Sequence, residues 1–323
     1  MTTTTPARAI NDGLREALRT DPAVLLLGED IGRLGGVFRV TDGLLADFGP
    51  HRVVDTPLGE AGIVGTAVGL AMRGYRPVCE IQFDGFVYPA VNQIITQLAK
   101  YRHRSGGRIA MPVVIRIPYG GGIGSIEHHS ESPETYFAHT PGLKVVTCAT
   151  PDDAFTMIGQ AVSSDDPVIF LEPKRRYWTK GAVTGTPSLG LHQARTVRTG
   201  TDLTLVAYGP LVAPALEVAD IAEQESHSVE VIDLRSLAPL DTDTVVSSVL
   251  RTGRLVIAHE ASRTHGIGAE VAARVQEEAF YALEAPVLRV TGYDTPYPPS
   301  RLEEDWLPGV NRMLTAVDRT LAF

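Results

Sequence analysis

The chain has 323 residues, of which 44% are hydrophobic and 21% charged, and its formal net charge is −9. This length favours two domains, and the negative charge argues against a nucleic-acid-binding surface. The longest uncharged apolar run, Ala61–Met72, is too short to span a bilayer. The N-terminus, MTTTTPAR, lacks the apolar core of a secretory signal, and Cys79 and Cys148 lie in strand-like runs typical of buried thiols. We therefore expect a cytoplasmic protein that binds neither membranes nor nucleic acid.

The first half of the chain alternates buried strands with helices. Apolar residues at helical spacing predict a first helix, which begins at Thr5-Pro6 and ends at Asp21-Pro22. Strands are predicted at Val24–Gly28, Arg52–Val54, Pro77–Phe83, Pro112–Pro118, Lys144–Ala149 and Pro167–Leu171, and further helices at Tyr88–Lys100 and after Pro151. The simplest closure of this series is a parallel sheet that is covered by helices on both faces.

The composition changes after Glu172-Pro173. Residues 174–200 are rich in Gly, Thr, Pro and Arg and show little periodicity, which predicts a linker. A second series of strands and helices then runs from Leu203 to a C-terminal helix near Pro308–Leu321. The sequence therefore predicts two doubly wound α/β domains in tandem, over residues 1–185 and 200–323.

The stretch Val53–Gly69, VVDTPLGEAGIVGTAVG, joins a strand end to an unusually apolar helix. This pattern predicts a helix that is buried on all sides, with one flat face that another backbone can approach closely. The small residues on that face are Gly62, Gly65, Thr66 and Gly69. Glu60 stands at the first turn, where one interpretation is an acid that complements the helix dipole. The other is a carboxylate at the mouth of a dry cavity, placed for proton transfer.

A glycine-rich loop, Tyr119–Ser125, precedes a polar loop that contains His128-His129. The chain has no Walker loop and no strand followed by G-x-G-x-x-G, so we interpret the glycine loop as a flexible active-site or subunit-contact loop. No cysteine pair stands at zinc spacing, and we predict no metal ligand in this chain. Loop histidines are often merely solvated, but this pair follows the carboxyl end of a strand, where ligands bind in open α/β sheets.

At this point the residues match a known family. Glu60-x4-Gly65-x3-Gly69 resembles the pyrimidine-side signature of thiamine diphosphate enzymes. DTPLGEAG is similar to the form used by beta subunits of the decarboxylating component of 2-oxo acid dehydrogenase complexes. Nearly the whole chain resembles that family, and HHSESPE, EPK and GYDTPYP are most like its branched-chain subgroup. The resemblance implies a pyrimidine-binding-type domain followed by a transketolase C-terminal-like domain.

The resemblance also implies partners and a shared cofactor. Two alpha and two beta subunits form a heterotetramer, with thiamine diphosphate bound where an alpha and a beta subunit meet. The alpha subunit of such enzymes holds magnesium and the diphosphate through a Gly-Asp-Gly motif followed by asparagine, and this chain lacks that motif. Further implied partners are a 2-oxo acid substrate, a lipoyl acyltransferase core and a second beta chain. The alternatives are a pyruvate or acetoin dehydrogenase beta chain, or a non-catalytic assembly module.

Residue by residue, the resemblance implies two catalytic groups. Glu60 matches the glutamate that hydrogen-bonds the pyrimidine ring nitrogen. His129 matches the beta-subunit histidine near the substrate carboxylate, which stabilises developing charge or assists acyl transfer to lipoamide. Leu58 and Phe86 match positions that line the pyrimidine, and Gln82 matches a variable position. The expected cofactor-binding residues are therefore Leu58, Glu60, Gln82 and Phe86.

Overall fold

The structure, a computed structural model, describes residues 2–323 and divides into two compact units. The first comprises the chain up to Tyr119 together with Tyr136–Leu191, and the second comprises Gly120–Thr135 together with His192–Phe323. The segment that contains the glycine loop and the paired histidines therefore clusters with the second unit. None of the helices in residues 2–323 combines the length and the apolar character needed to traverse a bilayer.

Strands and helices alternate along most of the chain. The strands are β1 Thr2–Thr4, β2 Val24–Gly28, β3 Val53–Asp55, β4 Arg76–Glu80, β5 Val114–Tyr119, β6 Lys144–Thr147, β7 Val168–Pro173, β8 Gly181–Val183, β9 Arg195–Arg198, β10 Leu203–Ala207, β11 Val229–Asp233, β12 Ser236–Ala238, β13 Leu255–Ser262 and β14 Leu288–Gly292. The α-helices are α1 Pro6–Thr20, α2 Leu44–Phe48, α3 Glu60–Met72, α4 Ala99–Arg104, α5 Glu134–Ala138, α6 Pro151–Ser163, α7 Val212–Gln224, α8 Thr242–Thr252, α9 Ile267–Ala279, α10 Glu303–Trp306 and α11 Val310–Leu321.

The first unit is built on a parallel sheet in the strand order β6-β7-β5-β4-β2-β3. Its strands are almost continuously apolar and buried, as expected for a sheet with helices on both faces. Helices α1 and α6 pack together, and each has a threonine at its N-cap. Thr5 accepts a hydrogen bond from the Arg8 amide, and Thr150 accepts one from the Asp153 amide.

The N-terminal threonines form a strand that the sequence did not predict. Thr2–Thr4 pair antiparallel with Gly181–Val183, so Thr3 lies opposite Ala182. The second strand falls within the stretch that was predicted to be a linker. Both strands are only three residues long, and the first consists of threonines alone. Neither is long enough to show the apolar alternation or the apolar run by which strands are recognised.

Helix α3 corrects the prediction of a helix that is buried on all sides. Ile63, Val64, Ala67, Val68 and Ala71 are buried, but the small residues on the opposite face are largely exposed. A Cβ atom added at Gly62 or Gly69 would meet no atom within 4 Å. Apolar composition cannot distinguish a helix surrounded by its own chain from one with a bare face, and the prediction was wrong for that reason.

The predicted single helix over Tyr88–Lys100 is also wrong in detail. The backbone forms a 3-10 segment over Asp84–Ala90, a π-helical turn over Gln93–Leu98 and only then helix α4. Pro89 lies inside the 3-10 segment and lacks an amide hydrogen, so it cannot donate a helical hydrogen bond there. The basic cluster at residues 100–104 lies in α4, whose last turn carries Arg102, His103 and Arg104.

The second unit contains a sheet in the order β14-β13-β10-β11-β9, in which only the edge strand β9 runs antiparallel. Helices α7 and α11 pack together, as do α8 and α9. Helix α8 begins with an Asp241 cap, which accepts a hydrogen bond from the Thr244 amide, and ends at Gly253, whose φ of 68° is left-handed. The prediction of two doubly wound α/β domains agrees with both sheets.

Candidate active site

Acidic and amide side chains follow three neighbouring strands of the first unit. Glu29 and Asp30 follow β2, Asp55 ends β3 and Gln82 comes two residues after β4. Asp55 accepts hydrogen bonds from the amides of Gly32 at 2.5 Å and Arg33 at 3.1 Å. The carboxyl ends of adjacent parallel strands meet at one edge, which is where ligands bind in open α/β sheets.

Glu60 lies at the first turn of α3, half-buried, and Glu29 stabilises the turn before it. The buried Glu29 carboxylate accepts a hydrogen bond from the Gly59 amide at 3.0 Å. Burial raises the pKa of Glu29, the Gly59 hydrogen bond opposes that rise, and the charges of Glu60 and Asp30 add to it. Glu29 is therefore close enough to Glu60 to feel its charge, and it fixes the backbone from which Glu60 projects.

The remaining predicted cofactor-binding residues lie near the same edge of the first unit. Leu58 is 84% exposed, which is unusual for a large apolar side chain. The Gln82 amide lies 3.4 Å from the Glu29 carbonyl oxygen. Phe86 stands edge-on to Phe83 with 5.7 Å between ring centres, and its 3-10 segment contacts α3. The first unit thus brings Gln82 to Glu29 and the Phe86 segment to α3, and it leaves an apolar surface open at Leu58.

A buried charge network crosses the sheet at β4, β5 and β7. Arg116 forms a two-pronged ion pair with Glu172, at 2.6 and 2.9 Å, and a third hydrogen bond with Glu80 at 2.6 Å. The Tyr177 hydroxyl donates to Glu172 at 2.6 Å. Burial lowers the pKa of Arg116, but the two carboxylates more than reverse this and raise it overall. Burial also raises the pKa of Glu80.

A second buried ion pair joins Lys174 to Asp84, at the start of the 3-10 segment that carries Phe86. The Lys174 ammonium lies 5.6 Å from the centre of the Phe83 ring. Both charged groups are fully buried, so the pair fixes this segment against β7. Neither group was predicted from the sequence, where the EPK string is the only signal for Lys174.

The glycine loop of the second unit is held by carboxylates. The Gly121 amide donates to Glu260 at 3.1 Å, and the amides of Gly122 and Gly124 donate to the two oxygens of Glu303, each at 2.9 Å. A Cβ atom added at Gly121 would lie 1.9 Å from the Tyr297 hydroxyl oxygen, so only glycine fits there. These amide donors are engaged by protein carboxylates and are therefore not available to a phosphate group.

His129 follows this loop in a short 3-10 turn, Glu127–His129, and belongs to the second unit. Its ring is partly buried and lies 4.3 Å from that of His128, centre to centre. Downstream, the Tyr208 hydroxyl donates to Glu134 at 2.7 Å, and the Tyr208 ring stacks on buried His259. The His129 segment is therefore anchored on both sides within one unit, which a merely solvated loop would not require.

Comparison with known proteins places the chain in a family. A family model described as the pyrimidine-binding domain of transketolase matches residues 3–179, and one described as its C-terminal domain matches residues 192–313. The pyruvate dehydrogenase E1 component subunit beta of Leifsonia xyli is 62% identical, over 98% of this chain and 94% of its own length. The 3-methyl-2-oxobutanoate dehydrogenase subunit beta of Mycobacterium tuberculosis is 56% identical, over 98% and 92%. The chain belongs to the beta-subunit family of 2-oxo acid dehydrogenases.

A solved structure supports the fold of this beta subunit. A split-gene transketolase, recorded as an inactive beta4 tetramer, has a TM-score of 0.83 and covers 98% of both chains at 23% identity. The family and the fold class predicted from the sequence are both confirmed. The roles of the individual residues are not tested by these likenesses and stay predictions.

Beta subunits of this family depend on thiamine diphosphate, and the first unit fits the pyrimidine part of that cofactor. It offers a half-buried carboxylate at Glu60 and an exposed apolar side chain at Leu58. Around Gly59 the space is open, because an added Cβ atom there would meet nothing within 4 Å. Within residues 2–323, no group of three or more His, Cys, Asp or Glu side chains is placed to hold a metal ion.

Proposed function

We propose that the chain is the beta subunit of a branched-chain 2-oxo acid dehydrogenase and that Glu60 and His129 are its catalytic residues. The observation that carries the assignment of Glu60 is its position at the first turn of α3, half-buried beside exposed Leu58 in a domain of the pyrimidine-binding family. The strings HHSESPE, EPK and GYDTPYP support the branched-chain substrate. We also propose that this protein acts in the cytoplasm.

In this proposal each site residue has one task. Glu60 hydrogen-bonds the pyrimidine ring nitrogen and shares a proton with it through its carboxyl group, while Glu29 positions it through the Gly59 amide. Leu58, Gln82 and Phe86 line the ring. When bound, thiamine diphosphate supplies the electron sink for decarboxylation of the 2-oxo acid.

His129 has a separate task in the second unit. It stabilises charge at the substrate carboxylate or assists acyl transfer to lipoamide on an acyltransferase core. The anchoring of its loop by Glu303 and Tyr208 supports a defined ring position. Replacing His129 with Ala should lower turnover by roughly 10²–10⁴-fold while cofactor binding stays intact. His139 is exposed and provides the matched control, so equal small losses from both substitutions would show that His129 is an ordinary loop residue.

The partners follow from the same proposal. An alpha subunit completes the cofactor site with the magnesium and diphosphate ligands that this chain lacks, in a heterotetramer of two alpha and two beta subunits. The exposed small-residue face of α3 supports close packing against another subunit, including a second beta chain. Calorimetry should show weak binding or none when thiamine diphosphate and magnesium are added to this chain alone. Tight magnesium-dependent binding to the isolated chain would contradict a shared site.

A second candidate substrate is pyruvate, because a relative that is 62% identical is named as a pyruvate dehydrogenase subunit. The deciding experiment is turnover of the assembled alpha–beta enzyme with pyruvate and with 3-methyl-2-oxobutanoate. We expect a higher kcat/KM for the branched substrate, and a higher value for pyruvate would overturn this choice. In the same assay Glu60→Gln should abolish turnover of both, whereas it would have little effect if the chain were only an assembly module.

A further inference from the structure

A basic cleft of about 420 Å³ lies in the second unit, among the residues that follow β13, strand β14 and helix α11. Four arginines line it, namely Arg263, Arg289, Arg312 and Arg319. No acidic side chain is among its lining residues. Its volume is within the range of small-molecule sites in proteins.

The four arginines lack the carboxylate partners that other arginines of the same unit possess. Arg198 pairs with Asp220 and Glu223, Arg274 pairs with Glu270, and Arg254 pairs with Glu284. In residues 2–323, none of the four cleft arginines has an ion pair within 4.0 Å. The chain has 38 acidic against 29 basic residues, so a general shortage of carboxylates does not explain the lack of partners.

Two of these guanidinium groups are held in place by backbone carbonyls. Arg312 donates to the carbonyl oxygens of Thr291 at 2.5 Å and Trp306 at 3.0 Å, and it lies over the Tyr293 ring at 4.5 Å. Arg289 donates to the carbonyl oxygen of Arg263 at 3.0 Å. These bonds orient the positive charges without neutralising them. A preorganised set of guanidinium groups favours ligands with several phosphate oxygens.

The nearby acid and the helix dipole do not account for the cluster. Asp294 feels the charge of Arg263, but its carboxylate oxygens already accept hydrogen bonds from the amide and hydroxyl of Thr264. Arg319 lies in the last turn of α11 and complements the helix dipole. The helix dipole therefore accounts for the position of one arginine, but not for the presence of the other three in the same cleft.

The apolar part of the cleft narrows the class of ligand. Leu288, Val290 and Ala316 line it beside the arginines. An inorganic anion would use only the guanidinium groups, whereas a ligand with a flat organic portion would also cover these side chains. We propose that the cleft is a binding site for a nucleoside diphosphate, with the diphosphate on the arginines and the base on the apolar side chains. This site is distinct from the residues assigned to the dehydrogenase reaction.

The test is direct binding of ADP to the full chain at low salt, measured by calorimetry, with adenosine, inorganic pyrophosphate and an oligo-glutamate peptide as comparison ligands. Because binding rather than turnover is measured, failure of the proposed dehydrogenase function would not affect the result. We expect ADP to bind more tightly than each comparison ligand. The affinity should fall as salt is added, since the contacts are charge pairs near the surface.

The variant that removes the site is Arg263→Glu with Arg319→Glu, because both side chains are exposed and neither forms a side-chain ion pair. It should weaken ADP binding by about tenfold or more. Arg73→Glu with Lys180→Glu makes the same charge change at exposed residues of the first unit, which do not line the cleft, and should leave binding unchanged. A milder second variant is Arg289→Lys, which keeps the positive charge but replaces the planar guanidinium group with an ammonium group. It should weaken ADP binding by a smaller factor.

Four results would overturn the proposal. The first is that ADP fails to bind at about 1 mM. The second is that ADP binds equally well to the cleft double variant and to the wild-type chain. The third is that a comparison ligand binds as tightly as ADP: with adenosine the diphosphate would have no role, and with pyrophosphate the base would have none. The fourth is that the oligo-glutamate peptide binds more tightly than ADP, which would make the cleft a docking surface for an acidic polypeptide.

Discussion

Arg116 in the first unit and His259 in the second are both fully buried, but they are stabilised in opposite ways. Arg116 lies between Glu172 and Glu80, and these carboxylates keep it charged. Burial lowers the pKa of His259 to about 4, and the Ala261 carbonyl hydrogen bond does not offset this. A buried charge therefore persists where carboxylates face it, and a buried group without an acidic partner is held neutral. The two units should consequently respond differently to mutation and to acid.

The largest expected effect comes from removing the charge at the centre of the first network. Arg116→Met would leave Glu80 and Glu172 buried without their cation, and we expect a loss of about 3–5 kcal/mol in the free energy of unfolding. Denaturant unfolding measures the loss, and hydrogen exchange in β4 and β5 assigns it to the first unit. The control is Arg102→Met, which breaks a partly exposed ion pair with Asp166 and should cost less than about 1 kcal/mol. Equal losses would show that burial of the network is not decisive.

The next effect is acid destabilisation of the second unit through His259. Its pKa is lower in the folded chain than its ordinary value of 6.5, so the unfolded chain binds the proton more readily between pH 6.5 and about 4. Stability therefore falls as the pH falls through that window, by about 2 kcal/mol between pH 7 and pH 5. Unfolding curves at the two pH values measure this. A His259→Gln variant should lack this component, and an unchanged pH dependence in the variant would contradict it.

A smaller effect should follow from loosening the glycine loop. Glu303→Ala removes the acceptor of the Gly122 and Gly124 amides, and we expect both amides to exchange hydrogen roughly tenfold faster. Hydrogen exchange with mass spectrometry of residues 119–126 measures this change. Glu304 is exposed and adjacent in the sequence, so Glu304→Ala is the matched control. If both variants exchanged at the wild-type rate, the carboxylate would not be what holds the loop.

The smallest difference between the two units is expected for the loss of a helix cap, which should lower the free energy of unfolding by a similar amount in each. Thr150 caps α6 in the first unit with a 3.1 Å hydrogen bond, and Asp241 caps α8 in the second with one of 3.2 Å. Replacing either residue with Ala should cost about 1 kcal/mol, measured by denaturant unfolding. Similar losses would show that the two units differ in stability because of their buried ionisable groups and not because of their helix caps. A difference above about 1 kcal/mol would mean that local helix stability contributes to it as well.

The sequence predicted the parts of the fold that depend on apolar periodicity. Val24–Gly28 was placed at its observed bounds because five consecutive buried residues mark a central parallel strand. The exposed face of α3 was missed because composition does not reveal which surfaces a single chain leaves bare. The 3-10 and π-helical turns over residues 84–98 were missed because their side chains resemble those of an ordinary helix.

Prediction of the site was limited in a similar way. Motif matches predict roles for Glu60 and His129, but neither Glu29 nor Glu303 lies in such a motif. Glu29 directly follows a buried strand, and its place at the carboxyl end of that strand is the one sequence signal for it. Glu303 is far from the glycine loop in sequence, and only the folded second unit shows that the two meet.

The pairing of Thr3 with Ala182 has a consequence for synthesis on the ribosome. The first strand of the chain has no partner until nearly the whole first unit has been translated. At about 5–20 residues per second, that interval is roughly ten to forty seconds. During this time the threonine segment must remain unpaired, and its polar side chains make it a poor nucleus for aggregation. A strand of apolar residues at the same place would be exposed to neighbouring chains for the same period.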